Sequence, residues 1–425
     1  MLTQITLEKL FGTFDYRIDL KPDGLTVLIG PNGYGKTTIL RIIDAIAQKN
    51  PLFFLGLNFE KITLIFDDKL PLSIEKKCNT INFVISGKDH FFEVDDFVEN
   101  ILKELPFTRR SSGEWLDRRT NRTVDVGKIF GDSSLYRYIS RMETDVMESF
   151  FSFQFFDVYL IREQRLLSRI EDENELDERL YTRISPRFQF KPVYEESIEK
   201  YATSLIEIMD RADSKYAEKS RELDSSYPKR LFDSDGDINE DEFKKRFDQI
   251  RKTQRSLSAY GLSVTQDENP PAFDSRNAKA LSVYLGDVEE KLKVFDELLK
   301  TLDLFTEILN SRCFVNKRIS ISKEYGLKFV TAKGTPLELK DLSSGEQHEV
   351  VLLFGLLFQA KPNTLVLIDE PEISLHIAWQ MPFLADMLKI IELRKISIIV
   401  ATHSPQIVND RWDNVVDLGG TTDEQ

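Results

Sequence analysis

An α/β fold, with a mixed sheet, an antiparallel β meander and an inserted helical arm, is the fold class that the sequence predicts. Three observations support it. An apolar run at residues 25–29 leads into a glycine-rich stretch and then into helical spacing, which is the order strand, loop, helix. Residues 365–368 form a second all-apolar run, as expected of a strand buried on both faces of a parallel sheet. Residues 190–310 carry apolar side chains three or four positions apart, which predicts long helices.

Length and composition indicate a globular protein with more than one domain. The 425 residues suffice for two or three domains, and 41% hydrophobic with 30% charged residues is typical of a folded chain. No apolar run approaches the roughly 20 residues that a bilayer span requires, and the N-terminus lacks the pattern of a signal peptide. Cys78 and Cys313 offer neither a disulfide framework nor a metal site. We therefore expect a cytoplasmic protein with ordinary thiols and no membrane partner.

The charge argues against a protein whose whole surface binds nucleic acid, because the formal net charge is −14. A local basic groove stays open as an alternative, so DNA is a secondary rather than a primary candidate partner. Residues 108–128 hold arginines around Trp115. This stretch is either a contact for a partner or nucleic acid, or a solvated loop or short hairpin. The second interpretation is favoured, since acidic residues are interleaved.

Residues 1–189 are predicted to form the first half of the sheet domain. A period of two over residues 5–20 predicts a strand pair, followed by the strand at 25–29. The elements expected after the glycine-rich loop are, in order, a helix ending near residue 50, an antiparallel meander over 59–92, helices over 94–105 and 133–149, and a buried strand over 153–161.

Residues 190–310 are predicted to form the arm, an antiparallel arrangement of helices. Its polar middle section is interrupted by turn-forming residues, namely Pro228, Gly236, Gly261, Pro270 and Pro271. The acidic run at 233–242 has a composition typical of a calcium-binding loop, but its glycine stands at the wrong position for an EF-hand. A solvated acidic turn is therefore the favoured interpretation.

Residues 311–425 are predicted to complete the sheet domain. The expected elements are strands over 314–323 and 326–332, a helix over 345–360, the apolar strand from 365, a helix over 376–393, a strand over 397–402 and a short tail.

The stretch G-P-N-G-Y-G-K-T-T at residues 30–38 has the composition of a phosphate-binding loop. Glycines let the backbone turn its N–H groups around phosphate oxygens, and the helix N-terminus adds positive partial charge. Lys36 can reach the β- and γ-phosphates, and the Thr37 hydroxyl can coordinate Mg²⁺. A chance match in a glycine-containing turn is disfavoured by the flanking strand and helix. The expected nucleotide contacts are Asn32, Gly33, Gly35, Lys36, Thr37 and Thr38.

Two carboxylates, Asp369 and Glu370, end the second apolar strand. Ligands of open parallel sheets bind beyond the carboxyl ends of the strands, so both acids are expected beside the phosphates. Asp369 is placed to hold the Mg²⁺ shell, and Glu370 is placed to polarise the attacking water as general base. An acidic helix cap would explain one carboxylate, but not a buried strand that leads to a pair.

Ser343 and Gly345 open the next predicted helix, within L-S-S-G-E-Q. Taken alone, this is a good helix cap with an anion-binding terminus. Together with the loop and the carboxylates, it resembles the signature motif of ABC ATPases. The resemblance implies that Ser343 and Gly345 contact the γ-phosphate of ATP bound to the opposite subunit. It also implies that His403 senses the γ-phosphate, and that Gln164 links the metal site to the helical lobe.

The order of these motifs is similar to that of the SMC, RecF and OLD branch of ABC ATPases, which has a helical insertion at this place. One departure is His376, which stands in the D-loop where aspartate is common. Few residues follow Pro405, so we expect no C-terminal Toprim nuclease domain of the OLD type.

Within that branch, five stretches look most like the AriA-type ATPase subunits of PARIS antiphage systems, with PtuA of Septu as the near alternative. These stretches are L-S-S-G-E-Q-H-E, D-E-P-E-I-S-L-H-I-A-W-Q, A-T-H-S-P-Q-I-V, V-Y-L-I-R-E-Q-R-L and L-D-S-S-Y-P-K-R-L. The resemblance implies a Mg²⁺-dependent ATPase that forms a homodimer or higher homo-oligomer, a hexamer being compatible with the family, with ATP at the subunit interface. The implied partners are a separate nuclease effector, Toprim-like or HNH, and a phage protein as trigger. The arm or the meander would be the docking surface.

Two other function classes compete with this one. A DNA-repair ATPase of the RecF or SMC type would clamp DNA directly and would need a basic stripe, against which the net charge of −14 weighs. A self-contained nuclease would need a further Asp, Glu or His metal cluster, and the sequence shows none outside the ATPase motifs.

Overall fold

The computed structural model describes most of the chain and divides it into two compact units. The first unit comprises Met1–Gln164, Arg169–Tyr194 and Gln359–Gln425, and the second comprises Arg165–Ser168 and Glu195–Phe358. The described residues are 1–67, 69–77, 80–85, 87–94, 107–109, 115–117, 123–124, 156–161, 167–169, 194–234, 238–262, 273–312, 317–373 and 375–420.

Helices and strands follow one another in three blocks along the chain. The first block contains β1 Leu2–Leu10, β2 Phe14–Asp19, β3 Leu25–Ile29, α1 Lys36–Ala47, β4 Lys61–Phe66, β5 Leu72–Lys77, β6 Thr80–Ile85, β7 Lys88–Glu93, β8 Phe107–Arg109, β9 Trp115–Asp117, β10 Thr123–Val124, β11 Val158–Ile161 and β12 Leu167–Arg169. The second block contains β13 Tyr194–Glu196, α2 Ser197–Asp233, α3 Glu240–Ala259, α4 Ala278–Leu292, α5 Asp296–Ser311, β14 Lys317–Ser322, β15 Gly326–Thr331, β16 Pro336–Leu337 and α6 Ser344–Phe354. The third contains β17 Leu365–Asp369, α7 Ile377–Gln380, α8 Phe383–Arg394, β18 Ser397–Ala401, α9 Pro405–Val408 and β19 Val415–Asp417.

A five-stranded parallel sheet, in the order β11-β17-β18-β3-β19, lies in the first unit. Asp369 lies opposite Ala401, and Ala401 lies opposite Leu28, so that β17, β18 and β3 end at the same level. These three strands are almost entirely buried, as expected when both faces of a sheet are covered. Their carboxyl ends form the edge at which parallel sheets bind ligands.

A six-stranded antiparallel sheet, in the order β2-β1-β4-β5-β6-β7, completes the regular core of the first unit. The predicted meander is confirmed as β4 to β7, with each strand antiparallel to the next. Burial alternates along β4 and β6, so one face packs inward and the other does not. The antiparallel sheet thus keeps one open face, whereas the strands of the separate parallel sheet are covered on both faces.

Helix α1 joins these two sheets through one apolar cluster. The helix contributes five fully buried side chains, namely Ile39, Leu40, Ile42, Ile43 and Ile46. They share the cluster with Leu28 and Leu367 of the parallel sheet and with Ile5 and Leu64 of the antiparallel sheet. The loop that precedes α1 thus starts from β3 and ends in a helix whose position is fixed by packing.

Two details of the first unit differ from the sequence prediction. The single helix expected over 376–393 is two helices, α7 and α8, and Pro382 lies between them as the cap of α8. Proline cannot donate a backbone N–H and disfavours helical geometry in the residue before it. The expected tail contains β19, which pairs in parallel with β3. Its three residues are too few to show a period in the sequence.

The second unit combines helices α2 to α6 with the three-stranded antiparallel sheet β14-β15-β16. Phe354 at the end of α6 stacks on Tyr201 of α2, with 4.7 Å between ring centroids, and contacts Phe305 of α5 edge-on at 6.3 Å. The helix that carries Ser343 at its start is thereby packed against the long inserted helices. The predicted fold class, α/β with a meander and a helical insertion, is confirmed.

Pro228 does not interrupt the arm, contrary to the prediction, because α2 continues through it from Ser197 to Asp233. Side-chain donors occupy the carbonyls of the turn that precedes the proline. The hydroxyls of Ser225 and Ser226 each donate to the Glu222 carbonyl at 2.9 Å, and Arg230 Nη2 donates to the Leu223 carbonyl at 2.6 Å. The carbonyl that Pro228 leaves without its helical donor is that of Asp224, so these bonds tie the turn beside it and do not replace the lost bond.

Gly326 begins β15 where α2 passes closely, and its replacement by alanine is expected to destabilise the second unit. Its φ is +71°, and an added Cβ would stand 2.1 Å from the Ala202 carbonyl oxygen. Gly334 is a matched control with φ of +80° and no atom within 4 Å of an added Cβ. We expect Gly334→Ala to cost about 1 kcal/mol from backbone strain alone, and Gly326→Ala roughly 3 kcal/mol or more. Equal losses in urea unfolding would contradict the close approach.

Several predicted features lie outside the described residues. They are the helix over 133–149, the helix over 94–105 apart from Val94, most of the arginine-rich stretch, both cysteines, the centre of the acidic turn, and Gln164. Within the described ranges, the helices are either too short or too polar to cross a lipid bilayer.

Candidate functional site

The glycine-rich loop between β3 and α1 has the backbone geometry of an anion cradle. Gly33 and Gly35 have φ of +87° and +86°, a region that favours glycine. An added Cβ at Gly33 would meet nothing within 4 Å, so its conformation, rather than space, requires glycine. The first regular helical bond runs from the Ile39 N–H to the Gly35 carbonyl at 2.8 Å, and Gly35 caps α1 without a side-chain bond. The N–H groups at the start of α1 therefore remain outside the helical ladder, as an anion site requires.

Lys36 is the buried cation of this loop, with only 4% of its surface exposed. Its Nζ donates to the Gly30 carbonyl at 2.8 Å and to the Pro31 carbonyl at 3.2 Å, and lies 3.2 Å from Nδ1 of His403. Burial lowers the pKa of the Lys36 ammonium, while the nearby carboxylates, Glu370 foremost, act in the opposite direction. Phosphate oxygens would give this ammonium charged acceptors in place of neutral carbonyls.

Thr37 and Asp369 provide a pair of hard oxygen ligands beside the loop. The Thr37 hydroxyl donates to Asp369 Oδ1 at 3.1 Å, across the ends of α1 and β17. Among the described residues, no three His, Cys, Asp or Glu side chains form a group that could hold a metal by themselves. One carboxylate with one hydroxyl fits Mg²⁺, which keeps water and substrate phosphates as its other ligands.

Glu370 follows β17 in a left-handed conformation, with φ of +44°, and its N–H donates to the Ala401 carbonyl at 2.9 Å. Such a backbone conformation is costly for glutamate and occurs preferentially at functional sites. Its Oε1 lies 3.4 Å from Nε2 of His403. Because the Lys36 ammonium can only donate, Nδ1 of a neutral His403 must accept, and its proton lies on Nε2, toward Glu370. The imidazole thus bridges the lysine and the glutamate.

Two side chains that sequence reasoning did not single out hold the His403 loop. Glu372 Oε1 accepts hydrogen bonds from the Thr402 hydroxyl and from the His403 N–H, both at 2.7 Å. Gln380 Oε1 accepts from the Ser404 hydroxyl at 2.8 Å. The sequence offered one signal, a third carboxylate in D-E-P-E directly after the strand. Nothing local to Gln380 indicates its role, because its partner is distant in sequence.

Ser343 lies in the second unit, as the N-cap of α6, and forms a capping box with Glu346. The Ser343 N–H donates to Glu346 Oε2 at 2.8 Å, and Lys317 Nζ contacts both carboxylate oxygens at 2.9 and 2.8 Å. Burial opposes ionisation of Glu346, but the bonds from Lys317 and Ser343 outweigh it and lower its pKa. Ser343 and Ser344 are exposed and Gly345 is half-buried, so this helix start is accessible to another molecule.

The structure brings five of the predicted site residues together at the carboxyl edge of the parallel sheet: Lys36, Thr37, Asp369, Glu370 and His403. Asn32 and Gly33 are exposed in the same loop, and Thr38 is half-buried in the first turn of α1. Ser343 and Gly345 belong to the other unit. Gln164, and Ser374 of the D-loop, lie outside the described residues.

Comparison with known proteins gives a family and several distant structural similarities. A family model described as "AAA ATPase domain" matches residues 1–408. Crystal structures of SMC head domains are among the similar solved structures. One, bound to the C-terminal winged-helix domain of ScpA, is 11% identical with a TM-score of 0.35, and the match covers 98% of this chain and 93% of that one. The SMC head of Pyrococcus furiosus with the C-terminal domain of ScpA has 14% identity, 98% and 92% coverage and a TM-score of 0.33. The SMC head of Thermotoga maritima has 12% identity, 96% and 90% coverage and a TM-score of 0.34. No curated protein sequence matches the chain.

Proposed function

The chain belongs to the AAA ATPase domain family, and from that premise we propose that it is a Mg²⁺-dependent ATPase serving as scaffold and sensor of a bacterial antiphage defence system. The observation that carries the ATPase assignment is the meeting of Lys36, Thr37, Asp369, Glu370 and His403 at one edge of the parallel sheet. These residues come from three separate strand ends, so their convergence does not follow from sequence proximity.

Each side chain has a distinct role in this proposal. Lys36 and the loop N–H groups bind the phosphates, and Thr37 and Asp369 orient Mg²⁺, which would neutralise charge on the phosphates when bound. Glu370 takes a proton from the attacking water, and His403, which lies between Lys36 and Glu370, senses the γ-phosphate. Asn32, Gly33, Gly35 and Thr38 complete the nucleotide contacts. Gln164 is proposed as a further ligand near the metal, in line with its place after β11.

A second copy of the chain completes the site in this proposal. Ser343 and Gly345 of one subunit would contact the γ-phosphate of ATP held by the other, because the start of α6 is exposed and helix N-termini bind anions. The nucleotide is then part of the dimer interface, so its γ-phosphate can bias two arrangements of the subunits. Higher homo-oligomers, including a hexamer, would repeat such interfaces.

An apolar stripe on the D-loop segment supports the proposed homodimer. Ile373, Ile377 and Met381 recur every four residues beyond Glu372 and are 60%, 67% and 56% exposed. Several large exposed apolar side chains within one short segment are a candidate interaction surface.

Replacing Ile377 with aspartate is therefore expected to weaken ATP-dependent dimerisation by roughly 10-fold or more, because a charge would be placed in an apolar contact. The affinity of the monomer for ATP should not change. Phe91→Asp is the matched control, since Phe91 is 64% exposed on β7, at a distance in sequence from the ATPase motifs. Analytical ultracentrifugation with and without ATP measures the effect. Equal dimerisation of the two variants would remove the stripe from the interface.

The defence role rests on the resemblance of five sequence stretches to the PARIS-type and Septu-type ATPases, and on no geometric observation. The ATPase would hold a separate nuclease inactive in the cytoplasm, and would release or activate it when a phage protein is sensed. A Toprim-like nuclease encoded next to this chain would favour the PARIS type, and an HNH nuclease the Septu type.

The test is to purify the chain with that nuclease and measure nuclease release on adding ATP and phage lysate. DNA binding that weakens steeply with salt, in place of nuclease binding, would favour a DNA clamp.

A further inference from the structure

We propose that Glu372 is a positioning residue which fixes the His403 loop against the end of β17 and thereby sets the orientation of the imidazole. The proposal rests on the proposed ATPase function. It concerns a carboxylate that neither binds the phosphates nor holds the metal in that function, and that acts only through the backbone and side chain next to His403.

A single carboxylate oxygen of Glu372 makes two short bonds, to groups on either side of one peptide unit. Oε1 accepts from the Thr402 hydroxyl and from the His403 N–H, each at 2.7 Å. Both distances are well within the range of good hydrogen bonds. Thr402 is fully buried, and its own N–H donates to the Leu28 carbonyl at 3.1 Å. The direction in which the chain leaves β18 is thus set by β3 on one side and by Glu372 on the other.

The orientation of this peptide determines where the imidazole of His403 lies. The ring spans two catalytic groups, with Nδ1 at 3.2 Å from Lys36 Nζ and Nε2 at 3.4 Å from Glu370 Oε1. Both distances are at the outer range of hydrogen bonding, so a small rotation of the His403 backbone would break one of them. Misplacing a catalytic group by about 1 Å can lower a rate by roughly 100-fold.

Gln380 provides a second link between the same two segments. Its Oε1 accepts from the Ser404 hydroxyl at 2.8 Å, and its Nε2 donates to the Leu375 carbonyl at 3.3 Å. Loss of Glu372 would therefore leave the loop attached at Ser404 while freeing the peptide in front of His403. For this reason we expect a loss of rate without a loss of folding or of nucleotide affinity.

The test compares Glu372→Ala with the conservative variant Glu372→Gln, which keeps an oxygen acceptor at the same distance from the backbone. Glu372→Ala is expected to lower kcat by roughly 10- to 100-fold with an unchanged Kd for ATP, since binding by Lys36 and the loop is untouched. Glu372→Gln is expected to recover most of the rate. Glu392→Ala, an exposed glutamate on α8, is the control for removal of a carboxylate.

A second readout does not depend on hydrolysis. The His403 N–H is the donor to Glu372, so its hydrogen exchange in the nucleotide-free protein should be faster in Glu372→Ala than in wild type or Glu372→Gln. Unchanged exchange overturns the positioning role, whatever the ATPase rate. If the wild-type protein has no ATPase activity, the proposed function is refuted. Faster exchange at His403 in Glu372→Ala would still support the positioning role of Glu372 in that case. Parallel loss of kcat, ATP affinity and thermal stability in both variants would indicate a merely structural carboxylate and also overturn it.

Discussion

Replacing Lys36 with alanine is expected to abolish ATP binding at micromolar nucleotide. Lys36 is buried at the start of α1, and its ammonium already contacts two loop carbonyls and His403. On binding, it would exchange neutral acceptors for charged phosphate oxygens. Each hydrogen bond to a charged group contributes about 1.5–3 kcal/mol, so loss of two weakens affinity by roughly 100-fold or more.

Isothermal titration with ATP measures the Lys36→Ala effect directly. Lys361→Ala is the matched control, because Lys361 is an exposed lysine of the same unit, located before β17. Thermal unfolding of both variants separates a loss of binding from a loss of folding. Wild-type affinity in Lys36→Ala would refute the assignment of residues 30–38 as a phosphate-binding loop.

Glu370→Gln is expected to bind ATP normally and to hydrolyse it roughly 10²- to 10⁴-fold more slowly, the range typical of a lost general base. The amide keeps the size of the side chain but cannot take a proton from water. Because ATP would persist at the interface, the variant should also accumulate as the closed oligomer. Single-turnover hydrolysis is the measurement, with Glu392→Gln as the isosteric control on α8. Turnover at the wild-type rate would remove Glu370 from the role of base.

The sheet strands and the site loop could be predicted from the sequence because their signals are local. One short segment contains the apolar run of β3, the glycines of the loop and the periodically spaced apolar residues of α1. Each of these patterns predicts the structure of its own part of that segment. The alternation of β4 and β6 is likewise contained within single strands. That Thr37 and Asp369 lie side by side was predicted from the rule that parallel strands bind ligands at their carboxyl ends, and the pairing of β17, β18 and β3 supplies the register.

The features that could not be predicted depend on contacts between distant residues. Pro228 remains inside α2, where side chains of the same helix donate to the Glu222 and Leu223 carbonyls, and the helix propensity of proline does not include such contacts. Strand β19 is defined by its pairing with β3, far away in sequence. Glu372 acquires a role only when β18 is placed beside β17, since its partners are 30 and 31 residues further along the chain.

The central physical claim is that two copies of the chain share each ATP, one through the loop before α1 and the other through the start of α6. Sedimentation of Glu370→Gln with ATP, compared with the same variant carrying Ser343→Arg, tests it most directly. We expect an ATP-dependent dimer for Glu370→Gln and a monomer with unchanged ATP affinity once Ser343 is replaced, because a bulky cation would block the α6 terminus. An ATP-dependent dimer that forms equally well with Ser343→Arg would contradict the claim.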